Sequence, residues 1–272
     1  MKKIRIILLV TLLLNITILN ADTQLDLRKQ NGYSYFTAST QCMNFSTDYT
    51  TVSGDNISTN ASSNNQVYST GSIFNLNNKF AFSTEVTTTL FPQRAYEQTS
   101  INGVLSQKNY ADMMNNSLQG LGHYKFSDEH RVVFGSLYNI SSWKRYKFIA
   151  PSGPESTSNV IEQRSMTLAL QIGYWYEDYF LEDSKLHLSF RSLVGLPIWG
   201  TTENTSDDVV FSNRGGYNVD IVLNIGYPLY DNKEYGLMLG YSEINRDSAR
   251  EGTIIVPKGN IQNTSIGLYV AF

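Results

Sequence analysis

The chain has 272 residues with a formal charge of −3, 41% hydrophobic and 17% charged residues, one cysteine and three histidines. A lone Cys42 excludes an internal disulfide and any cysteine-built zinc or iron–sulfur centre, so no cofactor is expected, and the absence of a basic patch argues against nucleic acid as a partner. Ser, Thr, Asn, Gln and Gly stand beside 18 Tyr and 13 Phe, too many aromatics for a disordered chain.

At the N-terminus Lys2, Lys3 and Arg5 precede an apolar run from Ile6 to Leu19, and Leu19-Asn20-Ala21 leads into Asp22. A basic start, an apolar core of about 14 residues and a small residue at the exit predict a secretory signal peptide over 1–21, since a spanning helix needs about 20 apolar residues. A periplasmic segment over 22–31 is then expected before the folded part, 32–272.

From there the hydrophobic pattern has a period of two. Over 165–176, Met166, Leu168, Leu170, Ile172, Tyr174 and Tyr176 share one parity, while Ser165, Thr167, Ala169, Gln171 and Gly173 share the other. This is the signature of a strand with one apolar face. It recurs over 185–196, 217–227 and 265–272, and ten strands are predicted with centres near 37, 71, 85, 121, 136, 170, 190, 222, 239 and 267. Short polar turns are expected at 77–79, 127–130, 177–184 and 231–234. Long polar loops are expected over 44–66, 91–115, 147–163, 200–216 and 246–260.

Ten strands with alternating short turns and long loops predict an all-β fold, a transmembrane antiparallel up-and-down β-barrel with its short turns in the periplasm and its long loops outside the cell. In lipid every backbone donor and acceptor needs an internal partner, so such a sheet has to close on itself. The apolar parity then faces lipid and the polar parity faces the lumen. Phe80, Phe82, Tyr124, Phe126, Tyr174, Tyr176, Tyr227, Tyr235 and Phe272 gather near the short-turn ends and are expected to form an aromatic girdle at the membrane–water interface. Tyr68, Tyr138, Tyr217 and Tyr241 suggest a sparser second ring.

The chain ends in Ile266-Gly267-Leu268-Tyr269-Val270-Ala271-Phe272, apolar at every second position with a terminal Phe. This resembles the closing strand of Gram-negative outer-membrane β-barrel proteins. The resemblance implies a destination in the outer membrane, contact with outer-membrane lipids and lipopolysaccharide, and recognition of the last strand by the barrel-insertion machinery. A monomer is expected.

Enzymes also occupy such barrels. In strand number the chain resembles the omptin proteases, but their paired acids and Asp–His pair at the outer rim are expected to have no counterpart, no Asp-x-Asp or Asp-x-His being read in the chain; Asp207-Asp208 has no neighbouring His. The outer-membrane phospholipase and the lipid A deacylases use a His-x-Ser pair, in which His takes the Ser proton. His187-Leu188-Ser189 has that spacing. No Asn follows Ser189, however, and the pair shares the lumen parity near a periplasmic turn, so no enzyme is expected.

By parity the lumen-facing set is Glu85, Gln119, His123, Lys125, Gln171, His187, Arg191, Asp220 and Asn224. Arg191 and Asp220 fall on neighbouring strands, and Glu85 approaches from across the barrel. Two functions fit. One is a small porin-like or transport barrel whose narrow polar lumen passes small polar solutes. The other is a surface structural or adhesion barrel with a plugged lumen, acting through its loops over 51–66 and 91–115.

Overall fold

The computed structural model describes residues 32–149, 161–179, 185–204, 209–230, 233–251 and 254–272. The predicted signal peptide and the segment over 22–31 lie outside the described residues. In chain order the strands are β1 (Gly32–Thr50), β2 (Asn56–Asn75), β3 (Phe80–Phe91), β4 (Arg94–Ile101), β5 (Val104–Lys125), β6 (His130–Ile149) and β7 (Ile161–Tyr179). There follow β8 (His187–Asn204), β9 (Val209–Ser212), β10 (Gly216–Tyr230), β11 (Lys233–Arg246), β12 (Ala249–Glu251), β13 (Ile254–Val256) and β14 (Lys258–Ala271).

Ten of these, β1, β2, β3, β5, β6, β7, β8, β10, β11 and β14, close into one antiparallel barrel, with β14 pairing back onto β1. Each of the ten predicted centres lies inside its own strand. Phe272 completes the seam, where its N–H and carbonyl exchange hydrogen bonds of 2.9 Å with Ser34. A circuit of the ladder that leaves β1 at Tyr33, passing through Ile73, Ser83, Leu121, Gly135, Gln171, Gly195, Asn218, Ile244 and Ile261, returns to it at Phe45. That is a stagger of 12 residues, from 33 to 45. With about 3.3 Å per residue and about 4.8 Å between strands, it tilts the strands by about 40°, as barrel closure requires.

The predicted turns lie where expected: that at 77–79 spans 76–79 and that at 127–130 spans 126–129. Asn77 closes the β2–β3 turn through its side-chain oxygen, which accepts from the N–H groups of Lys79 and Phe80 at 2.8 and 2.9 Å. Glu177 and Glu234, read as turn residues, belong to β7 and β11.

The long loops need a larger correction. Most of 44–66 is strand, with only 51–55 between β1 and β2, and most of 91–115 is strand as well. Here β3 breaks at Pro92 and Gln93 and resumes as β4, which pairs with the upper part of β2. The chain then turns at Asn102-Gly103, both with positive φ (51° and 80°), and descends as β5. An Asn-Gly pair with left-handed backbone is the ordinary two-residue hairpin connection. Asn102 also ties this hairpin to its neighbour, donating to Asp55 at 2.8 Å. That bond, with one from Ser53, holds the exposed Asp55 carboxyl below its usual range.

The predicted loops are therefore a standing β-wall. At about 3.3 Å per residue the 19 residues of β1 extend about 60 Å. Allowing for tilt, β1 rises nearly twice the apolar band of about 25 Å that such barrels present to lipid.

Candidate functional site in the barrel interior

The inner parity builds the interior in storeys. At the periplasmic end Glu177 receives the Tyr33 hydroxyl at 2.8 Å and the Arg131 guanidinium at 2.8 Å. His187 lies between two acids, with Nδ1 at 2.8 Å from Glu234 and Nε2 at 3.7 Å from Glu177. Glu177, Arg131, His187 and Glu234 are all buried. Sequence reasoning passed over Tyr33, Arg131, Glu177 and Glu234. The signal was present, because Arg131 shares parity with buried Val133 and Glu177 with buried Gln171 and Trp175.

Around and above this network lies an apolar cluster of Ile73, Leu121, Val133, Leu193, Met238, Trp175, Tyr33, Tyr35 and Tyr269. The inner face is thus not uniformly polar, which corrects the expected polar lumen. A small barrel fills its interior with side chains, and filled space packs like any core.

At mid-height Arg191 reaches from β8 across the lumen to Glu85 on β3, with Nη2 and Nη1 at 3.1 and 3.3 Å from its two carboxylate oxygens. Its Nη2 also lies 2.9 Å from Asp220 on the neighbouring β10. The Tyr35 hydroxyl donates to Glu85 at 2.5 Å, and the Trp175 ring lies 5.6 Å from the guanidinium. Side chains of five strands therefore meet at one cation.

The other predicted lumen residues are placed as follows. Gln119 donates to Gln171 at 2.9 Å, and Gln171 donates to Asn218 at 3.0 Å. His123 Nε2 shares a 2.7 Å hydrogen bond with Ser83. Lys125 donates to Asn75 at 2.5 Å. Asn224 lines a cavity of about 120 Å³ together with Glu85, Gln119, Arg191 and Asp220. Above this cavity a second apolar cluster, Met43, Phe45, Ala61, Ala95, Ala111, Met113 and Trp143, fills the upper interior. There Glu97, fully buried, pairs with Arg145 at 2.6 Å and accepts from Asn109 at 2.6 Å.

The outer parity carries the aromatics. Phe80, Phe82, Tyr124, Phe126, Tyr235 and Phe272 are exposed at the short-turn rim, while Tyr174, Tyr176 and Tyr227 are partly covered. His130 joins them, stacked on Phe126 at 5.6 Å and hydrogen-bonded to the Tyr174 hydroxyl. Of the sparser ring, Tyr217 and Tyr241 both donate to Glu243, at 3.0 and 2.8 Å.

The His-x-Ser pair lies low in the interior, with both His187 ring nitrogens directed at carboxylates and Ser189 buried beside it. The expectation that no Asp-x-His occurs is corrected by Asp128-Glu129-His130, where the tight turn after β5 enters β6 at the short-turn rim. Asp207 and Asp208 lie outside the described residues.

No protein-family model matches the sequence, and no curated protein matches it either. Solved structures do match. The outer-membrane protease OmpT of Escherichia coli superposes with a TM-score of 0.61 at 12% identity, over 92% of this chain and 99% of that one. The translocator domain of the autotransporter NalP from Neisseria meningitidis (TM-score 0.40, 11% identity, 90% of each chain) and OprG from Pseudomonas aeruginosa (0.35, 10%, 91% and 99%) follow. The chain has the fold of the Gram-negative outer-membrane β-barrels. Its closed ten-strand ladder, lipid-facing apolar parity and rim of aromatics place it in the outer membrane.

Proposed function

We propose that the chain is a surface barrel with a closed lumen, acting through the β-wall that stands outside the membrane. The observation that supports this reading is the Arg191–Glu85–Asp220 junction, which spans the lumen from wall to wall above a packed apolar cluster. A buried cation held by two carboxylates and a neighbouring Tyr–Glu hydrogen bond is a structural device, since opening it would leave charges unpaired in a confined space. The wall offers a presentation surface of paired strands with polar outward residues such as Asn60, Ser62, Asn64 and Gln98 beside exposed Tyr96, Ile101 and Val104.

Contact with lipopolysaccharide around the barrel, a monomeric state and recognition of the Phe272 strand during insertion belong to the same proposal. A second reading, passage of small polar solutes, is favoured by the cavity of about 120 Å³ at mid-barrel. Planar-bilayer recording of the refolded protein separates the two. The closed barrel gives no steady unit conductance, whereas a reproducible open level would overturn it in favour of the solute path.

A further inference from the structure

The upper interior holds a second arginine, Arg246, arranged unlike Arg191. It ends β11 and points inward at the extracellular mouth. Its Nη1 donates to the hydroxyls of Ser165 on β7 (2.8 Å) and Thr202 on β8 (3.0 Å), and its Nη2 donates to the Pro257 carbonyl at 3.1 Å. Its Nε is buried without a hydrogen-bond partner. Among the described residues no carboxylate lies within ion-pair distance of it. The charge that acts on it across the mouth is that of Arg145, of the same sign.

The surroundings are built to hold a guanidinium with space beside it. Gly259 is the cross-strand partner of Arg246, and a Cβ added there would meet Nη2 at 3.2 Å. The glycine lets the guanidinium lie flat against the β14 backbone. Gly259 and Arg246 also border a small cavity of about 40 Å³, lined further by Ser165, Gln163 and the apolar side chains of Phe45, Trp143 and Ile261. Trp143 is the floor of the upper apolar cluster and carries Arg145 at 5.6 Å from its ring.

A half-buried cation with hydroxyl neighbours, no carboxylate among the described residues and a nearby Arg145 whose own partner is Glu97 is a site short of one negative charge. Arg presents a planar fork of donors that matches oxyanions. The hydroxyls of Ser165 and Thr202 lie 2.9 Å apart and share a hydrogen bond, which leaves one O–H of the pair free to turn and donate once an acceptor arrives. The alternative, a purely structural arginine, has its example in the same molecule: Arg191 is satisfied by two acids. We infer that Arg246, Ser165 and Thr202 form an oxyanion-binding site at the extracellular mouth, taking a phosphoryl or carboxylate group from the outside medium. This site lies above the Arg191 junction and does not depend on whether the lumen conducts.

The test uses the refolded full barrel in detergent, with thermal unfolding and Trp fluorescence followed as sodium phosphate or sodium acetate is added against sodium chloride at equal ionic strength. A ligand that binds only the folded state raises the unfolding midpoint with concentration. Phosphate or acetate should do so beyond chloride, and the tighter of the two names the group the site prefers. Arg246→Gln should weaken that binding by about tenfold or more, as expected for loss of charged hydrogen bonds. Arg246→Lys should keep part of it, and Arg164→Gln, on the exposed outer face of the same rim, should change nothing.

Without anion, Arg246→Gln should be as stable as the parent or more so, because it removes an uncompensated charge. Equal midpoints in all three salts, or anion stabilisation undiminished in folded Arg246→Gln, would overturn the site. A fall in anion-free stability of Arg246→Gln as large as that of Arg191→Gln would assign Arg246 a structural role instead.

Discussion

Arg191 is where residue chemistry bears most directly on the whole barrel. It is 5% exposed and is shared by Glu85 and Asp220, so neither acid has a comparable cation within reach. Removing one partner of a buried ionic group costs about 3–5 kcal/mol, because the remaining charges stay buried and unpaired. Arg191→Ala should therefore lower the denaturant midpoint of the refolded barrel clearly, while bilayer conductance remains near zero or shows only rare bursts, since the apolar storey still closes the lumen. An unchanged midpoint accompanied by a shift towards cation selectivity would mean that water already fills the junction and screens its charges. Charge balance rather than residue type separates this arginine from Arg246.

At the scale of single elements the terminal strand joins assembly to closure. Phe272 exchanges two backbone hydrogen bonds with Ser34 and turns its ring outward into the periplasmic girdle, 57% exposed. Deleting it removes the terminal pair of hydrogen bonds from the seam; Phe272→Asp keeps the backbone and replaces only the ring. Both should reduce outer-membrane yield in fractionated cells, the deletion more than the substitution, with periplasmic aggregates rising in step. Equal yields from all three forms would remove any role of the ring and seam in assembly.

The strands were legible where lipid imposes contrast. In β7 and β14 one parity is apolar and the other polar or small, and the period shows in the letters alone. Above the membrane that contrast fades. Along 56–66 both parities are Ser, Thr, Asn and Gln apart from Ile57 and Ala61, so β2 reads as loop although it is paired throughout. The Asn102-Gly103 turn was a visible sign that this region is a hairpin. The Arg191–Asp220–Glu85 meeting followed from parity and strand order, whereas the Arg131–Glu177–His187–Glu234 network was hidden by assigning its acids to turns.

Taken as a whole, the barrel changes solvent partway up, and its side chains invert with it. In the lower half the outer parity is apolar, with Phe82, Phe134, Leu170, Ile172, Val194, Leu237 and Leu268 exposed, and charged groups are held inside. In the upper half much of the outer face is polar, with Tyr96, Ile101 and Val104 exposed among the polar residues, while Met43, Phe45, Met113 and Trp143 pack the inside around the Glu97–Arg145 pair. Each half is therefore held by a different force. The lower half persists because lipid offers its backbone no alternative partner, and it should resist detergent, so that unheated and boiled samples migrate differently on a gel.

The upper wall depends on its own apolar core. Trp143 is 6% exposed and packs on Phe45 with ring centroids 3.9 Å apart. Truncating a buried aromatic to Ala costs about 3–5 kcal/mol. Trp143→Ala should leave the heat-dependent gel shift intact but expose 56–66 and 94–115 to added protease on whole cells, where the parent wall resists cutting. Loss of the gel shift in Trp143→Ala would show that the two halves fold as one unit, and an uncut wall in the variant would show that backbone pairing alone holds it upright.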